Sequence, residues 1–193
     1  MKVKPIVVNE AGYSSAMTGI SLSYTSNPER SKQIAPNLSN KSGGHNKFLE
    51  QIELWIDVTA PRYIWQEFST YRHSSVQSES TMHTIMKKEL TQDDFEQPIP
   101  DLFLDYMNLL IDSYKNDTWN TIPKNELFLE IKNCLPEGFL QRRIVHINYM
   151  TLKNIYNQRK NHKLKWWSEF LESVLFQIEH PEFIVKPELP LDK

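Results

Sequence analysis

The chain has 193 residues, a net charge of −2 and a single cysteine, with 39% hydrophobic and 24% charged residues. This length predicts one domain over residues 1–193, and the near-neutral charge argues against nucleic-acid binding as the main role. Since Cys134 is the lone cysteine, an internal disulfide or a cysteine-based metal cluster is excluded, and no metal site is predicted.

The first half of the chain is predicted to contain two strands and a helix separated by polar segments. Residues 2–8 form a short opening strand, and residues 26–44, rich in Ser, Asn, Pro and Gly, form a long loop. That loop is either a flexible linker or a cover for a ligand. Aliphatic side chains alternate along 51–59, which predicts a strand with one apolar face. A helix over 62–71 follows, and the polar stretch 72–84 has no core periodicity.

The second half of the chain is predicted to be mainly helical. Apolar residues at helical spacing predict helices over 101–115, 123–134, 151–160 and 165–178. A strand is predicted over 143–149. This order of elements indicates an α+β domain in which helices pack on a small, mostly antiparallel sheet.

The hydropathy and the glycine pattern of the sequence argue against a membrane protein and against the common glycine-rich nucleotide-binding motifs. No apolar run approaches the ~18 residues that a membrane span requires, and the N-terminus lacks the core of a signal peptide, so we expect a cytoplasmic protein without membrane contact. The five glycines form neither a dinucleotide fingerprint nor a phosphate-binding loop. Basic residues crowd between Arg142 and Lys165, which predicts either a solvated surface or a site for an anionic small ligand.

The most specific pattern lies between His45 and residue 83. His45 precedes the strand, Ala-Pro and a helix follow, and Arg72 is then followed three and eight residues later by Ser75 and Ser80. This arrangement resembles the flavin-dependent thymidylate synthase family. The family signature is Arg-His-Arg, with a serine three residues after the second arginine and Ser-x-Arg beginning eight residues after it.

The register of this match is supported by the residues around it. Matching Arg72 and the next histidine to the first two signature residues instead would place Gln77 and Met82 at the serine positions. The resemblance also continues toward the C-terminus, up to about Leu175. The matching residues there are Leu135-Pro136, Asn148, Leu152-Lys153-Asn154 and Arg159, with Trp166 or Trp167 and Glu169 displaced by about one residue.

The resemblance implies two groups of binding residues. Residues placed to contact flavin adenine dinucleotide (FAD) are His45, Arg72, Ser75, Asn148 and Asn154. Those placed to contact a pyrimidine deoxynucleotide such as dUMP are Glu67, Ser78, Ser80, Lys132 and Arg159, with Ser80 also the catalytic candidate. A guanidinium at position 72 is suited to a phosphate, so we expect Arg72, Ser75 and Ser80 to line one pocket for phosphate-bearing ligands. Lys132 occupies a position where the family has an arginine. It keeps the positive charge but lacks the planar guanidinium that can bind a phosphate through two hydrogen bonds.

Each of these residues also has an ordinary structural interpretation. Arg72 near a helix C-terminus is a favourable dipole partner, and the serines are typical turn residues. His45 is typical of a solvent-facing loop, and Asn154 of an exposed helix position. Their shared order and spacing, rather than any one residue, therefore carries the family resemblance.

The implied reaction is the reductive methylation of dUMP to dTMP. The family uses FAD, with methylenetetrahydrofolate supplying the one-carbon unit and NADPH re-reducing the flavin, and its members are homotetramers. No protein thiol attacks the base in that reaction. Cys134, at a predicted helix end, is accordingly interpreted as a buried structural residue.

Several signature residues are replaced in this chain. Thr70 and Tyr71 stand where the family has Arg and His, Met82 and Met150 replace arginines, and Glu67 replaces a glutamine. Losing the arginines at positions 82 and 150 removes charge-assisted hydrogen bonds worth about 1.5–3 kcal/mol each where they reach a ligand. Two alternatives therefore stay open. One is a diverged FAD-dependent enzyme that modifies another pyrimidine deoxynucleotide, for example by hydroxymethylation; the other is a non-catalytic scaffold that keeps the fold.

Overall fold

A four-stranded antiparallel sheet with strand order β1-β2-β4-β3 lies at the centre of the fold. The structure is a computed structural model that describes residues 1–24, 26–118 and 121–186. Its strands are β1 Ile6–Ala11, β2 Glu53–Pro61, β3 Ser74–Ser78 and β4 Leu140–Asn148. This architecture confirms the predicted α+β class with a small antiparallel sheet.

Helices pack against this sheet, and most begin and end within a few residues of their predicted limits. The helices are α1 Tyr13–Tyr24, α2 Pro28–Ser39, α3 Arg62–Phe68, α4 Thr81–Thr84, α5 Asp101–Asn116, α6 Lys124–Cys134, α7 Tyr149–Arg159 and α8 Lys165–Gln177. Short 3-10 turns lie at Lys47–Gln51, Gln92–Asp94 and Pro181–Phe183. In the described ranges, none of the helices combines the length and apolarity needed to cross a membrane.

The prediction of a long loop over residues 26–44 is wrong, because α2 occupies most of it. The Asn27 side chain accepts a hydrogen bond of 2.9 Å from the backbone N–H of Glu29, and Pro28 suits the first helical position. Ala35 and Leu38 are buried and attach α2 to the core. The polar composition and the internal Pro36 conceal this amphipathic helix from a composition-based prediction.

One segment has structure that the sequence did not predict, and one further prediction is wrong. The polar stretch 72–84 contains β3 and the short α4, although its sequence has no core periodicity. Cys134 was interpreted as buried, yet it is partly exposed at the end of α6, where its Sγ lies 3.4 Å from Glu130 Oε1.

The alternation predicted along β2 is confirmed. Leu54, Ile56 and Val58 are buried and face the core, whereas the intervening side chains are half-buried on the other face. On that opposite face the Trp55 ring stacks on His146 of β4 with centroids 4.5 Å apart. The two faces of the sheet therefore have different chemistry, one apolar and one mixed aromatic and polar.

The buried residues that the structure describes form two hydrophobic clusters. The larger joins the apolar face of the sheet to helices on it, with members including Leu54, Ile56, Val145, Ile147, Phe68, Leu152, Trp167, Phe170 and Val174. The smaller joins α5 and α6 to the segment before them, with members including Ile85, Leu90, Phe95, Met107, Leu110, Ile131 and Phe139.

Lys153 on α7 connects three segments of the chain. Its Nζ donates to the carbonyl oxygens of Ser39 and Phe183, at 2.7 and 2.8 Å, and to Asn40 Oδ1 at 3.1 Å. Burial lowers the pKa of Lys153 to about 8. The lysine thus ties the end of α2 and the C-terminal segment to the helix that carries Asn154.

Candidate functional site

A polar cavity of about 390 Å³ lies where the turn after α3 meets the start of α7. We call it the Arg72 cavity. Its lining residues are Glu50, Thr70, Tyr71, Arg72, His73, Asn148, Met150, Thr151, Asn154 and Gln158. It brings together three residues that the sequence assigned to FAD, namely Arg72, Asn148 and Asn154.

Local hydrogen bonds hold this cavity together. The Asn148 side chain caps α7 by accepting from the backbone N–H of Thr151 at 2.9 Å. The Thr151 hydroxyl in turn lies 3.4 Å from the carbonyl oxygen of Arg72. His73 has a φ of 60°, the left-handed conformation that turns the chain from α3 into β3. The start of α7 and Arg72 are therefore adjacent.

Arg72 and Asn154 are both exposed in this cavity. Within the described ranges, the Arg72 guanidinium makes no hydrogen bond or ion pair, and Glu50 is the one carboxylate among the lining residues. The positive end of the α7 dipole adds to the charge of Arg72. This combination favours an anionic ligand.

His45 lies beside this cavity rather than in it. Its side chain is exposed, and its Nδ1 is 2.5 Å from the Tyr24 hydroxyl. The neighbouring Asn46 Nδ2 lies 3.9 Å from the sulfur of Met150, which lines the cavity. The segment that carries His45 therefore borders the Arg72 cavity.

Glu67 and Arg159, both assigned to the nucleotide, contact each other. Arg159 Nη1 lies 3.1 Å from Glu67 Oε2, and the same oxygen accepts from the indole N–H of Trp167 at 2.6 Å. Arg159 Nε also donates to the Tyr71 hydroxyl at 2.8 Å. We call these four residues the Glu67 cluster. Because Tyr71 lines the Arg72 cavity, the cluster adjoins that cavity.

The serines predicted to share a pocket with Arg72 lie elsewhere. Ser75 Oγ is 3.5 Å from His146 Nδ1, on the mixed face of the sheet. Ser78 ends β3 opposite Arg143, and Ser80 precedes α4. All three are exposed, and none lines the Arg72 cavity. The expected pocket shared by Arg72, Ser75 and Ser80 is therefore wrong for a single chain, whereas their ligand-binding roles stay predictions.

Lys132 lines a second cavity of about 390 Å³, which we call the Lys132 cavity. Its lining residues are Arg62, Trp65, Gln66, Ser69, Thr81, Lys132, Leu135, Gln141 and Arg143. Lys132 Nζ donates to the Thr81 hydroxyl at 2.5 Å. Burial, and secondarily the charge of Arg62, lowers the pKa of Lys132.

Sequence reasoning missed several of these residues. Tyr71 was interpreted only as the loss of a family histidine, yet its hydroxyl holds Arg159. Arg143 lies in the basic segment between Arg142 and Lys165, but the sequence did not indicate that Arg143, rather than Arg142, would line a cavity. In the described ranges, no group of three or more His, Cys, Asp or Glu side chains is placed to hold a metal ion.

Comparisons with known proteins identify the family and the fold. The family model described as thymidylate synthase complementing protein matches residues 9–167. The fold is similar to flavin dependent thymidylate synthase ThyX from Helicobacter pylori complexed with FAD and dUMP, with a TM-score of 0.74 and 17% identity over 94% of this chain and 98% of that one. A second Helicobacter pylori ThyX structure, also with FAD and dUMP, gives 0.75 and 15% over 95% and 98%. No curated protein matches the sequence significantly.

Proposed function

Because the chain belongs to the thymidylate synthase complementing protein family, we propose that it is a single-domain, cytoplasmic, FAD-dependent enzyme. The proposed reaction is the reductive methylation of dUMP to dTMP. Methylenetetrahydrofolate is the proposed one-carbon donor and NADPH the reductant. The assignment as a flavin-dependent thymidylate synthase-like protein rests on the family match and the fold.

The Arg72 cavity is the observation that carries this proposal. A dinucleotide cofactor needs cations for its diphosphate and polar side chains for its ring edge. Arg72 offers a guanidinium without a partner in the described ranges, beside the start of α7, and Asn154 offers an amide. The residues present therefore fit FAD, with Asn148 supporting the cavity as the cap of α7 and His45 at its border.

The nucleotide is proposed to contact the Glu67 cluster and Lys132. Glu67 and Arg159 hold each other in a defined orientation, so they present an acceptor and donors at fixed positions. Ser78 and Ser80 are exposed and accessible to a ligand, and Ser80 remains the proposed catalytic residue. When bound, the reduced flavin supplies a hydride, so the chain needs no nucleophilic thiol.

The separation of these residues supports sites that are shared between neighbouring chains, as the proposed homotetramer requires. The volume of the Arg72 cavity, about 390 Å³, is near the lower end of the ~300–1,000 Å³ range that is typical of ligand pockets. A dinucleotide is larger than most of the ligands that such pockets hold. Ser75 and Ser80 face solvent, away from the Arg72 cavity. We propose that neighbouring chains complete each site, with these serines serving a cavity of another copy.

Flavin content tests the cofactor assignment. We expect the purified protein to carry FAD, seen as the flavin absorbance spectrum, and Arg72→Ala to weaken FAD binding about 10- to 100-fold by removing charge-assisted hydrogen bonds. Arg30→Ala, at an exposed position on α2 that lines neither cavity, is the matched control. A colourless wild-type protein would contradict the flavin assignment, and full flavin content in Arg72→Ala would contradict the role of that arginine.

Growth rescue tests the reaction. We expect the chain to support a thymidine-requiring bacterial strain without added thymidine, and Arg72→Ala to fail. A folded, flavin-bearing protein that gives no rescue would instead favour modification of another pyrimidine deoxynucleotide. Met150 places an apolar side chain in the Arg72 cavity, at a position where the family has an arginine. This difference is the observation that supports the second candidate.

A further inference from the structure

The Lys132 cavity has an excess of positive charge. Arg62, Lys132 and Arg143 line it, and no carboxylate is found among its described lining residues. The nearest counter-charge that contacts one of these cations is Glu137, 3.7 Å from Arg62 Nη2. Among the described residues, the other two cations contact neutral groups: Lys132 the Thr81 hydroxyl, and Arg143 the Gln141 side chain and the Trp65 ring. An anion entering this cavity would therefore meet two charges that have no counter-ion in the part of the chain that the structure describes.

Arg143 is held in place by an aromatic ring. Its guanidinium lies over the Trp65 ring, 4.4 Å from the centroid. The ring itself is held by hydrogen bonds from its N–H to the carbonyl oxygens of Ala60 and Gln141, at 3.0 and 3.1 Å. Arg143 is therefore positioned on a rigid platform before any ligand arrives.

The hydrogen-bonding capacity of Arg143 is only partly used. Its Nη2 donates to Gln141 Oε1 at 3.0 Å, but its Nε is buried and has no hydrogen-bond partner in the described ranges. A buried donor without a partner is costly, and burial lowers the pKa of this guanidinium. Such a donor is expected where a ligand, rather than the protein, supplies the acceptor.

We propose that Arg143, with Lys132, binds the phosphate monoester of the pyrimidine nucleotide, and this inference rests on the proposed function. A guanidinium presents a planar fork that matches phosphate oxygens, whereas Lys132 contributes a point charge. The exposed Ser78, opposite Arg143 in the β3–β4 register, and Thr81 add hydroxyls at this edge. Arg143 thereby replaces the cation that is missing at Met82.

Binding of dUMP, deoxyuridine and inorganic phosphate, measured by calorimetry on the full chain as purified, tests this role. Arg143→Gln is expected to weaken dUMP binding about 10- to 100-fold and to leave deoxyuridine binding and FAD content unchanged. Arg143→Lys is expected to recover part of the dUMP affinity, because it keeps the charge without the fork. Arg30→Gln removes an equal charge from the exposed face of α2 and is expected to change none of these values.

The outcomes separate this proposal from the function on which it rests. Wild-type affinity for dUMP in Arg143→Gln, or equal losses for dUMP and deoxyuridine, would overturn the phosphate role. A wild-type protein that carries FAD but binds dUMP no better than deoxyuridine would also overturn it while sparing the flavin assignment. Conversely, a protein without FAD whose phosphate binding depends on Arg143 would support the anion site and count against the proposed enzyme.

Discussion

Replacing Gly12 with alanine is expected to lower the free energy of unfolding by about 2–5 kcal/mol, from the left-handed backbone penalty and steric overlap together. Gly12 connects β1 to α1 with a φ of +96°, and an added Cβ would lie 2.0 Å from the carbonyl oxygen of Gln51. That oxygen belongs to the backbone just before β2, so relief requires the chain itself to move. Against a typical total stability of about 5–15 kcal/mol, the loss is large.

Denaturant unfolding followed by circular dichroism measures this effect. Gly138→Ala is the matched control, because an added Cβ there meets no atom within 4 Å and its φ is not positive. We expect that control to stay within about 0.5 kcal/mol of the wild type. A Gly12→Ala protein as stable as Gly138→Ala would show that the β1–α1 connection relaxes without cost.

The elements that sequence predicts well are those whose side chains alternate or repeat strongly. Ile56 and its apolar neighbours on β2 mark one buried face, and the apolar repeat of α8 marks another. β3 was not predictable in this way, because it is short, polar and exposed apart from the half-buried Ser74 at its start. Its place at the sheet edge depends on pairing with β4, a contact between residues far apart in the chain.

The candidate site was predictable in part for the same reason. The family resemblance assigned Arg72 and Asn154 to the same ligand, and both line one cavity. Spacing did not separate Arg142 from Arg143, since the direction of each side chain depends on the register of β4. Arg142 faces outward and pairs with Asp57, with Nη2 2.5 Å from Oδ2, whereas Arg143 stacks on Trp65. Only the sheet register distinguishes a surface ion pair from a cavity cation.

The second large effect is expected at Trp167, which is fully buried and links the core to the Glu67 cluster. Trp167→Ala is expected to cost about 3–5 kcal/mol of stability, because the aromatic rings around it lose their packing and a cavity opens. Those rings, with centroids between 5.5 and 6.2 Å away, are Phe68, Tyr71, Trp166 and Phe170. The midpoint of guanidinium unfolding measures this loss.

Two further variants divide this effect into packing and hydrogen bonding. Trp167→Phe keeps most of the ring volume but removes the N–H that donates to Glu67. We therefore expect this variant to lose about 1–2 kcal/mol of stability. Phe176→Ala on the same helix is the control, since that ring is 91% exposed and its removal should change stability by less than about 0.5 kcal/mol. If Trp167→Phe weakens dUMP binding while FAD content is unchanged, the indole positions Glu67 and Arg159 for the nucleotide. Unchanged dUMP affinity would restrict Trp167 to a role in the core.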